Sequence, residues 1–125
     1  MALLQVLSPN ALPTMRALLN RIQSKVITGT SYTLTPEDSG QMIIFTSNNQ
    51  VTVTVPNVDT VDLGANYFTS LRQGGSGPIY IVLEDDADDS LIHIDNGVRS
   101  AGRGALVTIT RGQNENTYYA DGPLV

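Results

Sequence analysis

The sequence predicts a mainly β protein: a short N-terminal amphipathic helix followed by a small antiparallel β-sandwich or barrel of about eight strands. Three observations point there. From Thr30 onward apolar residues recur with a period of two, the signature of strands with one buried face. Gly, Pro, Asn and Asp clusters punctuate these runs at short intervals. The runs lie too close together for helices between them, which excludes a parallel α/β sheet. No internal repeat stands out.

The helix is expected over residues 13–27. Met15, Leu18, Leu19, Ile22 and Val26 fall on one stripe at helical spacing. Pro13 suits a first turn, Arg21 and Lys25 suit the negative end of the helix dipole, and Gly29 suits a stop. So short a helix is marginal alone, so its stripe must pack on something. The expected organisation is therefore an arm over 1–29, for anchoring or self-association, and a β domain over 30–125.

Within the β domain, Tyr32 and Leu34 alternate before the turn Pro36-Glu-Asp-Ser-Gly40. Segments 41–47 and 50–55 flank Asn48-Asn49, which reads as a hairpin. In Val51-Thr-Val-Thr-Val55 the valines and threonines take opposite faces. Further strands are expected over 66–72, 79–84, 91–94, 105–111 and 117–120. Their separators are Gly74-Gly-Ser-Gly-Pro78, an acidic run, Asn96-Gly97, Gly102-Arg-Gly104 and Gly112-Gln-Asn114.

Charge is distributed unevenly. Residues 1–36 carry Arg16, Arg21 and Lys25 and no acid, whereas all 12 acids lie in 37–125 with Arg72, Arg99, Arg103 and Arg111. A basic arm and an acidic body suit two environments, and the acidic body argues against nucleic acid, whose phosphates need clustered Lys and Arg. There are no cysteines, so neither disulfides nor thiolate metal sites are available, as suits assembly in a reducing cytoplasm. No apolar run reaches membrane-spanning length, and the start lacks a basic leader region, so neither a membrane nor a secretory signal is expected.

An enzyme reading meets a shortage of parts. His93 is the single histidine, in Leu91-Ile-His-Ile-Asp95, and a single histidine makes neither a His-based metal site nor a triad without an activated serine. Gly74-Gly-Ser76-Gly-Pro78 fails the nucleophile-elbow pattern, and the same glycines lack the Lys and following helix of a phosphate loop. Glu37, Glu84 and Glu115 would be the carboxylates of a glycan hydrolase, with nothing to single out a pair. In the acidic run, Asp85, Asp86, Asp88 and Asp89 are calcium candidates, although the EF-hand positions for Gly and Glu hold Ser90 and Asn96. A solvated, self-repelling loop that protects a neighbouring edge strand is the commoner explanation of such a run. No cofactor or catalytic residue is assigned.

Taken in order, Tyr32-Thr-Leu-Thr35 with Glu37-Asp-Ser-Gly40, Val51-Thr-Val-Thr-Val-Pro56, and the strand from Tyr67 into Gly74-Gly-Ser-Gly77 and Ile79-Tyr-Ile-Val82 form a pattern. Gly102-Arg-Gly-Ala105, Leu106-Val-Thr-Ile109 and Asn116-Thr-Tyr-Tyr-Ala-Asp-Gly122 complete it. This pattern, over 32–122, resembles the small β module of tailed-bacteriophage fibre and decoration proteins, with Tyr118 or Tyr119 where that family commonly has Trp. The resemblance implies a non-enzymatic virion part, homotrimeric, assembled in the bacterial cytoplasm. A capsid decoration or head-fibre protein would attach to the major capsid protein, or another virion protein, through the arm. Its interface would include Met15, Arg16, Leu18, Leu19, Arg21, Ile22, Lys25 and Val26. A tail-fibre or tail-tip part would instead contact a host surface glycan, with Tyr67, Tyr80, Tyr118 and Tyr119 as stacking candidates.

Overall fold

The computed structural model describes residues 24–84, 90–93, 99–111 and 117–125, with 90–93 as backbone alone. The protein is mainly β. In chain order the strands are β1 (Ser24–Ile27), β2 (Ser31–Thr33), β3 (Met42–Phe45), β4 (Val51–Val55), β5 (Phe68–Gln73), β6 (Ile79–Leu83), β7 (Ser90–His93), β8 (Leu106–Arg111) and β9 (Thr117–Asp121). One 3-10 turn, Pro36–Asp38, lies between β2 and β3.

These strands form two sheets, one in the order β1-β3-β5-β8-β9-β7 and the other in the order β2-β4-β6. The chain alternates between them through β6, so each strand of the first sheet is followed by one of the second. β1–β3, β3–β5, β2–β4 and β4–β6 all pair parallel, and so does β7–β9. Among the described strand pairs only β5–β8 and β8–β9 are antiparallel, beside the isolated antiparallel bridges Tyr80–Arg99 and Ser100–Leu124. The first half of the domain is therefore a three-coil parallel solenoid, and the last strands close its larger sheet.

This corrects the expected antiparallel architecture. Parallel neighbours need a crossover, and helices usually supply it. Here strands of the opposite sheet supply it instead, so spacing too short for helices does not forbid parallel pairing. The repeat is structural: Lys25, Ile43 and Leu71 share one ladder position, as do Tyr32, Val53 and Ile81. The intervals between these residues differ from coil to coil, which hides the repeat in the sequence.

Asn48-Asn49 does not join a hairpin. Five residues, 46–50, separate β3 from β4, and the two strands lie in different sheets. The apolar face of β3, Ile43 and Phe45, and that of β4, Val51, Val53 and Val55, are all 0 % exposed in one core. Two such faces bury each other best across facing sheets, about 10 Å apart, rather than side by side.

The expected helix over 13–27 is also corrected at its end. Ser24–Ile27 is a strand, and strand structure thus begins within the stretch assigned to the arm. Its burial alternates, with Lys25 and Ile27 half-buried and Ser24 and Val26 exposed. The waiting edge of β3 and the β-branched pair Val26-Ile27 favour extension there, and sheet context overrides a weak helical period. The helical stripe at Met15, Leu18, Leu19 and Ile22 lies outside the described residues.

The core joins both sheets and their connections: Leu34, Leu63, Tyr67, Ile79, Ile81, Val107, Ile109, Tyr118 and Ala120 are buried alongside the residues above. Burying each Val, Leu or Ile in such a core stabilises by about 1.5–3 kcal/mol. Tyr32 meets Phe45 edge-on, with ring centroids 5.9 Å apart, at the first-coil end.

Candidate functional site

Among the described residues, three of the places where polar side chains draw together secure joins in the fold. At the first coil, Lys25 Nζ donates to Tyr32 Oη (2.6 Å), and Tyr32 Oη donates to the Asp38 carboxylate (2.8 and 2.9 Å). Lys25 Nζ also reaches Asp38 Oδ1 at 3.3 Å, and the Thr35 backbone N–H donates to Asp38 Oδ2 at 2.9 Å. The Asp38 side chain is 1 % exposed. The 3-10 turn, started by Pro36, brings that carboxylate back under β1 and β2.

Buried charge is tolerable only with partners of this kind. The hydrogen bond to Tyr32 raises the Lys25 pKa, against the opposing effect of burial. Burial raises the Tyr32 pKa, so the phenol keeps its proton at neutral pH. A tyrosine acting as a base or nucleophile needs the opposite shift. The cluster is a clasp between the first coil and the turn that follows it.

The second cluster lies where the solenoid meets its closing strands. Ser100 Oγ donates to Gln73 Oε1 (2.6 Å) and accepts from the Ile79 N–H (2.7 Å). Gln73 Nε2 donates to the Gly75 carbonyl at 3.2 Å, and both side chains are 2 % exposed. In the third, Arg111 on β8 forms an ion pair with Asp62 in the β4–β5 connection. The Gly64 N–H and then Arg111 lower the Asp62 pKa.

Among the described side chains, the candidate chemical groups do not converge. Ser76 sits in the 74–78 corner and donates to Asn48 Oδ1 at 3.1 Å. His93 is in register with Ala120 on β9. Glu84 accepts from the Asn57 N–H at 2.9 Å, Glu37 is in the exposed part of the 3-10 turn, and Glu115 lies outside the described residues. No group of three or more His, Asp or Glu residues is placed to hold a metal among the described residues. Asp85, Asp86, Asp88 and Asp89 lie outside them.

Of the expected interface residues, Lys25 and Val26 are described. They occupy opposite faces of β1, Lys25 in the clasp and Val26 58 % exposed. Met15, Arg16, Leu18, Leu19, Arg21 and Ile22 lie outside the described residues. The stacking tyrosines divide. Tyr67 and Tyr118 are core residues at 2 % and 0 % exposure and cannot meet a glycan, whereas Tyr80 is half-buried and Tyr119 is 40 % exposed.

Sequence reading missed the most distinctive surface, the outer face of the six-stranded sheet. It carries Val26, Met42, Ile44, Phe68, Leu106 and Tyr119, all half-buried or exposed, interleaved with Ser70, Arg72, Thr108, Thr110 and Asp121. The corresponding outer positions of the small sheet are Ser31, Thr33, Thr52 and Thr54, with Tyr80 and Val82 on β6. The available signal was Met42-Ile-Ile-Phe45, a run apolar on both parities, which gives a strand two apolar faces.

Compared with protein-family models, with curated proteins and with solved structures, the chain matches none. No helix among the described residues is long and apolar enough to cross a membrane.

Proposed function

We propose that this chain is a non-enzymatic structural protein of a bacteriophage virion, most consistent with a capsid decoration or head-fibre part. The observation that carries the reading is the contrast just described: the buried polar clusters are tied into joins of the fold, while one broad sheet face presents Val26, Phe68 and Tyr119 outward among polar neighbours. Surfaces of that kind serve protein contact, because exposed apolar area gains by being covered. The sequence resemblance over 32–122 supplies the virion setting and an expected homotrimer. Residues 1–23, with their basic and apolar side chains, would be the attachment to the shell.

The test is stoichiometric binding to purified capsids. Because β1 belongs to the sheet, the informative truncation removes 1–23 and keeps Ser24. Binding by the full chain and its loss in the truncated one is the expected result. Equal binding by both overturns attachment through the arm.

Tyr119 and Phe68, exposed together on one face, favour a second reading: a tail-fibre part that stacks on a host glycan. It predicts binding to intact host cells and competition with phage adsorption, neither of which a decoration protein shows.

A further inference from the structure

We propose that residues 1–23 cover the open first-coil end of their own β domain, laying apolar side chains over Ile27 and Tyr32. This goes beyond the function proposed above and does not depend on it.

β1 and β2 stand first in their two sheets, and among the described residues no strand pairs with their outer edges. The Ile27 carbonyl accepts from the Thr46 N–H at 3.1 Å, and the Thr30 carbonyl accepts from the Thr52 N–H at 2.9 Å. Alternate residues of a parallel strand turn to the same neighbour, so Val26, Ser31 and Thr33 direct their N–H and C=O groups away from the stack. Burial at matching ladder positions shows the missing layer. Phe45 and Gln73, in register with Ile27, are 0 % and 2 % exposed. Val53 and Ile81, in register with Tyr32, are likewise 0 % and 2 % exposed. Ile27 and Tyr32 are only half-buried, because the first coil has a neighbour on one side and the later coils on both. The clasp with Lys25 and Asp38 satisfies the Tyr32 hydroxyl but leaves this apolar surface uncovered.

Attachment, length and composition select the occupant. Residues 1–23 join the domain at Ser24, the first residue of β1, which holds them at this end at high effective concentration. They are about as long as one coil, as measured from Lys25 to Ile43 or from Ile43 to Leu71. Their stripe Met15, Leu18, Leu19 and Ile22 needs an apolar surface, since a helix so short is marginal alone. The far end of the stack is covered in the same way, by the chain's own residues from Arg99 onward. At helical spacing Arg16 and Arg21 fall outside the stripe, so covering the end leaves these basic side chains to a shell.

Thiol alkylation tests it, because the protein has no cysteine of its own. Ile27→Cys places one thiol at the first-coil end, and Val53→Cys, in a separate chain, places one in the covered second coil. The Ile27→Cys thiol is expected to react with a maleimide at least tenfold faster once residues 1–23 are removed. Leu18→Ser combined with Ile22→Ser in the full-length chain is expected to do the same. The Val53→Cys thiol should stay slow throughout, and the full-length rates should not change with protein concentration. Equal Ile27→Cys rates with and without residues 1–23 overturn the inference. Protection that grows with protein concentration assigns the cover to a second copy and also overturns it. If truncation frees the Val53→Cys thiol too, the domain has opened, and the stripe substitutions decide: an unchanged Ile27→Cys rate on making them overturns the inference.

Discussion

Gly75 and Gly77 show how a single atom limits this fold. The corner 74–78 lies directly on the corner 46–50, with the Gly77 N–H donating to the Ser47 carbonyl at 3.0 Å and the Val51 N–H to the Pro78 carbonyl at 2.9 Å. A Cβ on Gly75 would lie 2.3 Å from the Ser47 oxygen, and one on Gly77 would lie 1.8 Å from the Asn49 oxygen. Backbone cannot withdraw as a side chain can, so Gly77→Ala is expected to lose about 3 kcal/mol or more. Urea unfolding checks this, and an unchanged midpoint would mean the corners do not stack. The Lys25–Tyr32–Asp38 clasp makes a pH prediction. Lys25 and Tyr32 both have pKa values raised on folding, so their contributions are complete below the unfolded values of 10.5 and 10.0. They are lost as pH rises through the higher folded values. Stability should fall above about pH 10, in part through buried Tyr67, whose pKa is raised as well, and Tyr32→Phe should make that fall shallower. Denaturant midpoints of both chains from pH 7 to 11 decide it, and identical falls would exclude the clasp. Asp38→Ala should cost about 2–4 kcal/mol at neutral pH, because it strands Tyr32 Oη and the Thr35 N–H.

Among elements, the parallel register distinguishes the coils from any hairpin arrangement. Thr54 on β4 is in register with Val82 on β6, both facing outward. Adjacent strands place such residues ~4.8 Å apart, within the disulfide range. Thr54→Cys with Val82→Cys should therefore close an intrachain disulfide on oxidation, read as the loss of the mass of two hydrogen atoms, their protons and electrons passing to the oxidant, with secondary structure retained. Failure to close would contradict the β4–β6 pairing. The valine faces of β4 are the reason for this arrangement: Val51, Val53 and Val55 each rest on a ladder neighbour from β6 and oppose the larger sheet.

Across the whole molecule, the closing strands cap an otherwise open stack. β8 covers the edge of β5, while Arg99 bridges Tyr80 and Ser100 bridges Leu124 beside the small sheet. Stacked repeats need such caps, since an uncapped coil exposes both apolar side chains and unpaired strand edges. Removing residues 99–125 should yield a chain that aggregates, measured by light scattering after refolding. A soluble, sheet-rich fragment would show that the coils suffice alone. The same long-range pairing places folding in the millisecond-to-second regime rather than microseconds.

How much of this was legible follows from the range of the interactions. Period-two alternation is local, and it located the strands near 42–45, 51–55, 79–83, 106–111 and 117–121 within a residue or two, together with the inward valines and outward threonines of β4. Turn chemistry was local too, so the 74–78 corner was recognised as a turn. The partner of each strand was not local. Whether the link at 46–50 folds back as a hairpin or turns the corner to a facing sheet depends on which apolar face is waiting across the core. Likewise Ser24–Ile27 extends because β3 offers it an edge, and Asp38, which looks like an ordinary surface acid in a turn, is buried because Lys25 and Tyr32 reach it. The outer face of the large sheet became visible only once six strands lay side by side. Composition and alternation thus determined the class of structure, and tertiary packing alone decided direction, order and which surface remains to be covered, because those depend on free energies of contact between residues far apart in the chain.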